Sequence, residues 1–214
     1  SWVLPNADGA GYYRFTLDST ALQKLRDVGL PKLTAPERYV LLQALMAGFH
    51  VNTVSTSDLL SALPKFANDE ERLVAVLPAA FIADLRDRWL VRPELTAEQR
   101  TFYLGKLRGF VRGMYEKLAR RVGVRQQQGE SGDAKLLRAR VLSIMADGAH
   151  DEPTRAALAR AGRQYLGLDP GSKPRPDALP VELLDAALRL LVDDSDTMTW
   201  DAVYARLKAE QDAN

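Results

Sequence analysis

Asn6-Ala-Asp-Gly-Ala-Gly-Tyr-Tyr-Arg-Phe-Thr-Leu-Asp18 is the stretch on which the reading of this chain turns. After it, from Ser19 to the last residue, one helix pattern follows another; before it stands only Ser1-Trp-Val-Leu-Pro5. Residues 2–4 and 11–17 are rich in β-branched and aromatic side chains. Pro5-Asn6-Ala7-Asp8-Gly9-Ala10 between them is turn chemistry, so the pair reads as a β-hairpin. A period of two puts Tyr13, Phe15 and Leu17 on one face and Tyr12, Arg14 and Thr16 on the other. A lone hairpin is marginal in water and leaves its edges unpaired, so this one is expected to be the last piece of a larger sheet.

At 214 residues the chain can bury a sizeable core in one large or two small domains. A hydrophobic content of 46% with 27% charged residues is that of an ordinary globular protein. The net charge of +1 gives no global pull towards nucleic acid or anionic membrane. There is no cysteine, which excludes disulfides and thiolate metal sites and suits both cytoplasm and periplasm. No apolar run approaches the roughly 20 residues that span a bilayer, and residues 1–20 show no basic-then-apolar signal region.

Ser19 to Val28 predicts a short helix with Leu22 and Leu25 inward, stopped by Gly29 and Pro31. Thr34 and Glu37 form a capping box for a helix carrying Leu41, Leu42, Leu45, Met46 and Phe49. Ser57 or Asp58 is expected to cap the next helix, which Pro64 bends or ends. Asn68 and Glu71 repeat the capping signature before a segment in which Pro78 predicts a kink or two helices. Thr96 and Gln99 cap the longest pattern, running to Val122, with Tyr103, Leu107, Phe110, Met114 and Leu118 on one face. Gly105, Gly109 and Gly113 lie opposite them. Each costs about 1 kcal/mol against alanine, so either a second helix approaches closely there or the helix breaks. Gly123 to Gly132 is a polar linker. Helices are expected at Asp133 to Met145, Asp151 to Leu166, Pro180 to Leu191 and Thr199 to Gln211, with a proline-dense loop at residues 169–177. Short helices without a fixed repeat period describe an α-solenoid or an irregular helical array.

The pattern Asn-x4-Gly-Tyr-Tyr-Arg, filled by Asn6, Gly11, Tyr12, Tyr13 and Arg14, resembles the segment closing the small β-sandwich of zinc aminopeptidases, the family of aminopeptidase N and puromycin-sensitive aminopeptidase. Phe15-Thr-Leu-Asp18 stands where that family writes Val-x-Tyr-Asp. Leu33-Thr-Ala-Pro-Glu37-Arg38-Tyr-Val-Leu-Leu42 is similar to the family's Leu-Ser-x-x-Glu-Arg-x-x-Leu-Leu, which opens its C-terminal helical domain. Asp133-Ala-Lys-Leu-Leu-Arg-Ala-Arg-Val-Leu142 is similar to its Leu-Leu-Arg-x-x-Val-Leu helix, although Val122-Gly-Val124 replaces the family's Leu-Gly-Trp. The resemblance implies an all-α, HEAT/armadillo-like superhelical array of antiparallel helix pairs, preceded by a β-hairpin remnant of a β-sandwich. The expected boundaries are 1–18 for the β tail and 19–214 for the helical C-terminal domain, whose end is open to truncation.

Catalytic apparatus is not legible in the chain. The two histidines, His50 and His150, are not set in the H-E-x-x-H spacing that puts two imidazoles on one helix face with a glutamate as general base. Each reads as a solvated loop-edge residue. The family's Gly-x-Met-Glu-Asn motif is absent, as are a P-loop, G-x-G-x-x-G and G-x-S-x-G. Asp193-Asp-Ser-Asp196 lacks the twelve-residue calcium loop and reads as an acidic loop capping the next helix. No catalytic or metal-binding residue is therefore assigned. A basic cluster remains on the long helix: Lys106, Arg108, Arg112, Lys117, Arg120, Arg121 and Arg125. It is either a solvated face partnered by Glu116 or, as the resemblance implies, part of a concave wall meeting a peptide's C-terminal carboxylate. Arg108 and Arg112 are the candidates for that contact.

The resemblance thus implies the non-catalytic C-terminal domain of a zinc aminopeptidase. Its partners would be the catalytic domain of the same parent chain and the peptide substrate, with no nucleic acid and no membrane. Zinc would belong to the parent and not to this part. The rival reading is a stand-alone helical-repeat scaffold for a protein partner. Compartment, cytoplasmic or exported, is left open.

Overall fold

The computed structural model describes residues 2–193 and 197–211, and among these the ordered elements are all helical, with no strand. The chain divides into two compact units, Ser1–Leu118 and Ala119–Asn214. The expected hairpin does not form. Residues 2–18 carry a single 3-10 turn, Ala7–Gly9, and no ladder. A two-stranded ribbon gains little without a third strand, and side-chain bonds close this turn instead. The buried Asn6 amide donates to the Gly11 carbonyl (2.9 Å) and accepts from the Gly11 N–H (2.8 Å).

In the first unit Asp18 caps α1 (Ser19–Lys24) by accepting from the Ala21 N–H at 2.8 Å. The chain continues through a π turn, Leu25–Gly29, with Leu22 and Leu25 buried as the spacing predicts. The Trp2 ring lies so near Gly29 that a Cβ there would stand 2.8 Å from it. α2 (Ala35–His50) starts with the Thr34–Glu37 capping box and buries Leu41, Leu42 and Leu45. α3 (Thr56–Phe66) is capped by Ser55, which accepts from the Asp58 N–H at 3.1 Å, and not by Ser57 or Asp58. The helix starts earlier because Asp58 sits three residues on and its carboxylate accepts from the Ser55 hydroxyl.

α4 (Arg72–Trp89) runs as one helix through Pro78, where a kink or two helices are expected from the sequence. Asn68 does not cap it; its amide donates to the Met114 carbonyl at 3.2 Å. Asp69 fixes the entry instead, accepting from the Glu71 N–H at 2.9 Å. α5 (Ala97–Val122) begins with the reciprocal Thr96–Gln99 bonds. It neither breaks at its glycines nor receives a helix there. A Cβ on Gly105, Gly109 or Gly113 would meet nothing within 4 Å. The residues that α5 buries, Val111, Met114, Tyr115 and Leu118, lie in its C-terminal half, and Tyr103 at the other end is exposed.

In the second unit Ser131 caps α6 (Gly132–Ser143), followed by a π turn at Ile144–Gly148. Asp151 caps α7 (Glu152–Leu166), with Pro153 in its first turn. Gly167 ends it in the left-handed region (φ 67°), where its missing Cβ avoids the usual penalty. α8 (Leu184–Asp193) follows a 3-10 turn, Val181–Leu183, and crosses α7 closely: a Cβ on Gly162 would stand 3.3 Å from the Ala187 carbonyl. Leu142, Leu158, Leu179, Leu183 and Leu190 form the core of this unit. Arg138 is buried beside it, with its guanidinium on Glu130 and the Val122 carbonyl. α9 (Thr197–Gln211) starts two residues before the expected position. Of the acidic loop read as its cap, Asp194, Ser195 and Asp196 lie outside the described residues.

Candidate functional site

The motif residues of the opening stretch act together as a tie between residues 5–14 and α2. Asn6 and Gly11 lock the loop, and the Tyr13 hydroxyl donates to the Pro5 carbonyl (2.5 Å). Glu37 accepts from both the Thr34 N–H (2.8 Å) and the Asp8 N–H (3.1 Å), so one carboxylate caps α2 and holds the loop. Those two donors hold its carboxyl below the usual carboxylate range. Arg14 donates to the Gln43 carbonyl at 3.3 Å. Arg38 forks onto Asp69 (2.5 and 2.8 Å) and donates to the Leu33 carbonyl (2.7 Å), joining the starts of α2 and α4. Tyr12 is fully exposed and makes none of these bonds.

The histidines are far apart in role. His50 is exposed at the end of α2 with its ring against Phe49 and Phe81 (centroids 5.8 and 5.5 Å). His150 is half-buried, has a positive φ (48°) and lies 3.3 Å from Glu152. Among the described residues no group of three or more His, Asp or Glu side chains converges to hold a metal ion. No described helix is long and apolar enough to cross a membrane.

A cleft of about 950 Å³ opens in the first unit between α5 and α2–α4, walled by Phe49, Leu60, Ile82, Leu85 and Trp89. α5 contributes Tyr103, Leu107 and Phe110, the same stripe that the sequence pattern assigns to a buried face. Those side chains line an open cleft because the N-terminal half of α5 stands off from α4, whereas its C-terminal half packs. Phe49 and Trp89 sit 6.1 Å apart at one wall. Three charged residues also line it: Arg92 and Glu94 in the α4–α5 link, and Lys106, whose ammonium lies 5.4 Å from the Phe102 ring centroid. None of the three enters an ion pair with a described residue.

Sequence reasoning missed this cleft. The available signal was the crowding of Phe102, Tyr103 and Phe110 into one half of a helix otherwise rich in charge. Arg108 and Arg112 do not line it; Arg108 is half-buried, while Arg112 is exposed and interacts with a neighbour. Glu116 and Arg120 on the same helix are likewise engaged.

Comparison with known proteins gives this geometry a context. Residues 2–214 match the family model described as "ERAP1-like C-terminal domain". Aminopeptidase M1-A of Oryza sativa subsp. japonica is 27% identical over 160 residues, which is 74% of this chain and 17% of that protein. Aminopeptidase M1 of Arabidopsis thaliana is 26% identical over 161 residues, 75% of this chain and 18% of that protein. The chain thus spans less than a fifth of either relative. With a family match from residue 2 to residue 214, and with the opening motifs resembling the same enzymes, the chain belongs to the ERAP1-like C-terminal domain family.

Proposed function

We propose that this chain is the helical C-terminal part of a zinc aminopeptidase, and that it walls the chamber in which the parent enzyme removes N-terminal residues from peptides. The observation that carries this reading is the family match over residues 2–214; the two relatives named aminopeptidases support it. In this reading the helix pairs stack in a HEAT/armadillo-like array over the catalytic domain. Residues 2–17, which form no strand ladder here, supply edges to a β-sandwich contributed by the parent; a strand needs such a partner to form. The described His, Asp and Glu side chains do not fit a zinc site. Zinc and the water it activates would be held by residues of the catalytic domain, and no chemical step passes through this chain. Arg108 and Arg112 stand one helical turn apart and can offer guanidinium forks to the carboxylate of a long peptide.

The test compares the parent enzyme with a version lacking residues 19–214, using single amino-acid amides and peptides of increasing length. The proposal expects cleavage of the small amides to persist while selection against long or folded substrates is lost. Zinc-dependent peptide hydrolysis by the present chain alone would overturn it.

A further inference from the structure

The cleft beside α5 has the volume of a small-molecule site, at the upper end of the range of about 300–1,000 Å³. Its walls are aliphatic and aromatic. Beyond the indole N–H of Trp89, its uncharged polar side chains among the described residues are Thr56 and Tyr103. A peptide laid in it would bury amides with few partners, and each unsatisfied amide costs about 1–3 kcal/mol. An alkyl chain has no such requirement. At the same cleft two cations, Arg92 and Lys106, face a single carboxylate, Glu94, and neither cation is paired with it. The excess positive charge favours an anionic head on an apolar body.

We propose that this cleft binds a monomeric long-chain carboxylate, with its alkyl chain along Leu60, Leu85, Leu107 and Phe110 and its head group on Arg92 and Lys106. Arg92 can donate to both carboxylate oxygens through its fork, and Lys106 adds a point charge one turn beyond Tyr103. The site lies wholly within the first unit and is independent of any chamber-wall role.

Calorimetric titration of the whole chain with dodecanoate, below its micellar concentration, tests the assignment against dodecan-1-ol and acetyl-Ala-Ala-Leu. Dodecanoate should bind with one-to-one stoichiometry and at least about tenfold more tightly than the alcohol, the ratio expected of one charge-assisted contact. The double variant R92Q/K106Q should bring the acid down to the affinity of the alcohol. Leu107→Trp, which fills the cleft from the N-terminal half of α5, should abolish binding of both while leaving the circular dichroism and unfolding midpoint in place. Equal affinity for acid and alcohol would overturn the head-group assignment. Tighter binding of the peptide would overturn the alkyl body, and unchanged binding by L107W would overturn the site.

Discussion

The hydroxyl of Tyr115 accepts from the Ala79 N–H (3.1 Å), one residue beyond Pro78, and donates to the Ala75 carbonyl (2.7 Å). Those backbone groups belong to the helical rung next to the one that Pro78 cannot make, since proline has no N–H and its ring crowds the preceding turn. A fully buried phenol from α5 thereby occupies both polar groups at the weak point of α4. This accounts for a single helix where the proline predicts two.

Tyr115→Phe removes both bonds and should destabilise the chain by about 1–2 kcal/mol, read from urea unfolding. In a Pro78→Ala background the ladder of α4 can close by itself, so the same substitution should cost measurably less. Equal costs in the two backgrounds would show that Tyr115 acts through packing alone.

Glu37 carries a pH prediction. Its carboxyl is held below the ordinary range first by the Thr34 N–H and then by the Asp8 N–H. A carboxyl depressed on folding stabilises the protein fully above its unfolded value, and that contribution is lost as pH falls through the folded value. The thermal midpoint should therefore fall on acidification, and the fall should be shallower in Glu37→Gln. At neutral pH the same variant should cost about 0.5–1.5 kcal/mol, the scale of a helix cap. A variant as acid-sensitive as the parent sequence would locate the titration elsewhere.

The helix starts at Thr34 and Thr96 were legible in the sequence because both halves of a capping box lie within four residues. The start at Ser55 was misplaced by two or three residues because Ser57 and Asp58 offer the same oxygen chemistry nearby. What was not legible is long-range. The support for Pro78 comes from 37 residues away in α5, and Asn68 was diverted from a cap to the Met114 carbonyl. The cleft followed the same rule. Periodicity placed Tyr103, Leu107 and Phe110 on one face of α5, but that this face lines a cleft shared with α2–α4 and with Leu90, Arg92, Glu94 and Leu95 of the link is a tertiary arrangement that no local pattern carries. The motif residues Asn6, Gly11 and Glu37 were visible as a pattern, and only the coordinates show that they lock a loop against α2.

Asn6 offers a direct probe of that lock. Its amide both donates to and accepts from Gly11, imitating a pair of backbone bonds. Asn6→Asp keeps the acceptor but sets a carboxylate against the Gly11 carbonyl, and a buried acceptor losing its donor costs about 1–3 kcal/mol. Hydrogen exchange at the Gly11 and Asp8 amides should accelerate while α6–α8 remain protected. Unchanged exchange at Gly11 would remove Asn6 from this role.

Arg38 should be replaceable by neither lysine nor alanine at equal cost. Its guanidinium meets both Asp69 oxygens and the Leu33 carbonyl, and the Asp69 side chain is only 8% exposed. Lysine keeps the charge but loses the fork, for about 1–2 kcal/mol. Alanine leaves the Asp69 carboxylate without its cation and should cost about 2–4 kcal/mol, below the fully buried case because Arg38 is partly solvated. Chemical denaturation of the two variants should rank them in that order; equal losses would mean that charge alone matters at this junction.

The glycine row of α5 makes the last test, because its outcome has opposite signs under two arrangements. Nothing lies within 4 Å of a Cβ at Gly105, Gly109 or Gly113, and none of the three has a positive φ. Alanine there meets no neighbour and removes unfolded-state freedom, so each substitution should stabilise this chain by about 0.5–1 kcal/mol. The triple variant should gain about 1.5–3 kcal/mol if the sites act independently. If the same row accepts a helix or a sheet edge in the parent enzyme, the added methyl groups would hold that element away, and the triple variant would lower the parent's thermal midpoint. Raised stability in the chain together with lowered stability in the parent would identify the row as a contact surface. A gain in both would make it a solvent-facing stripe.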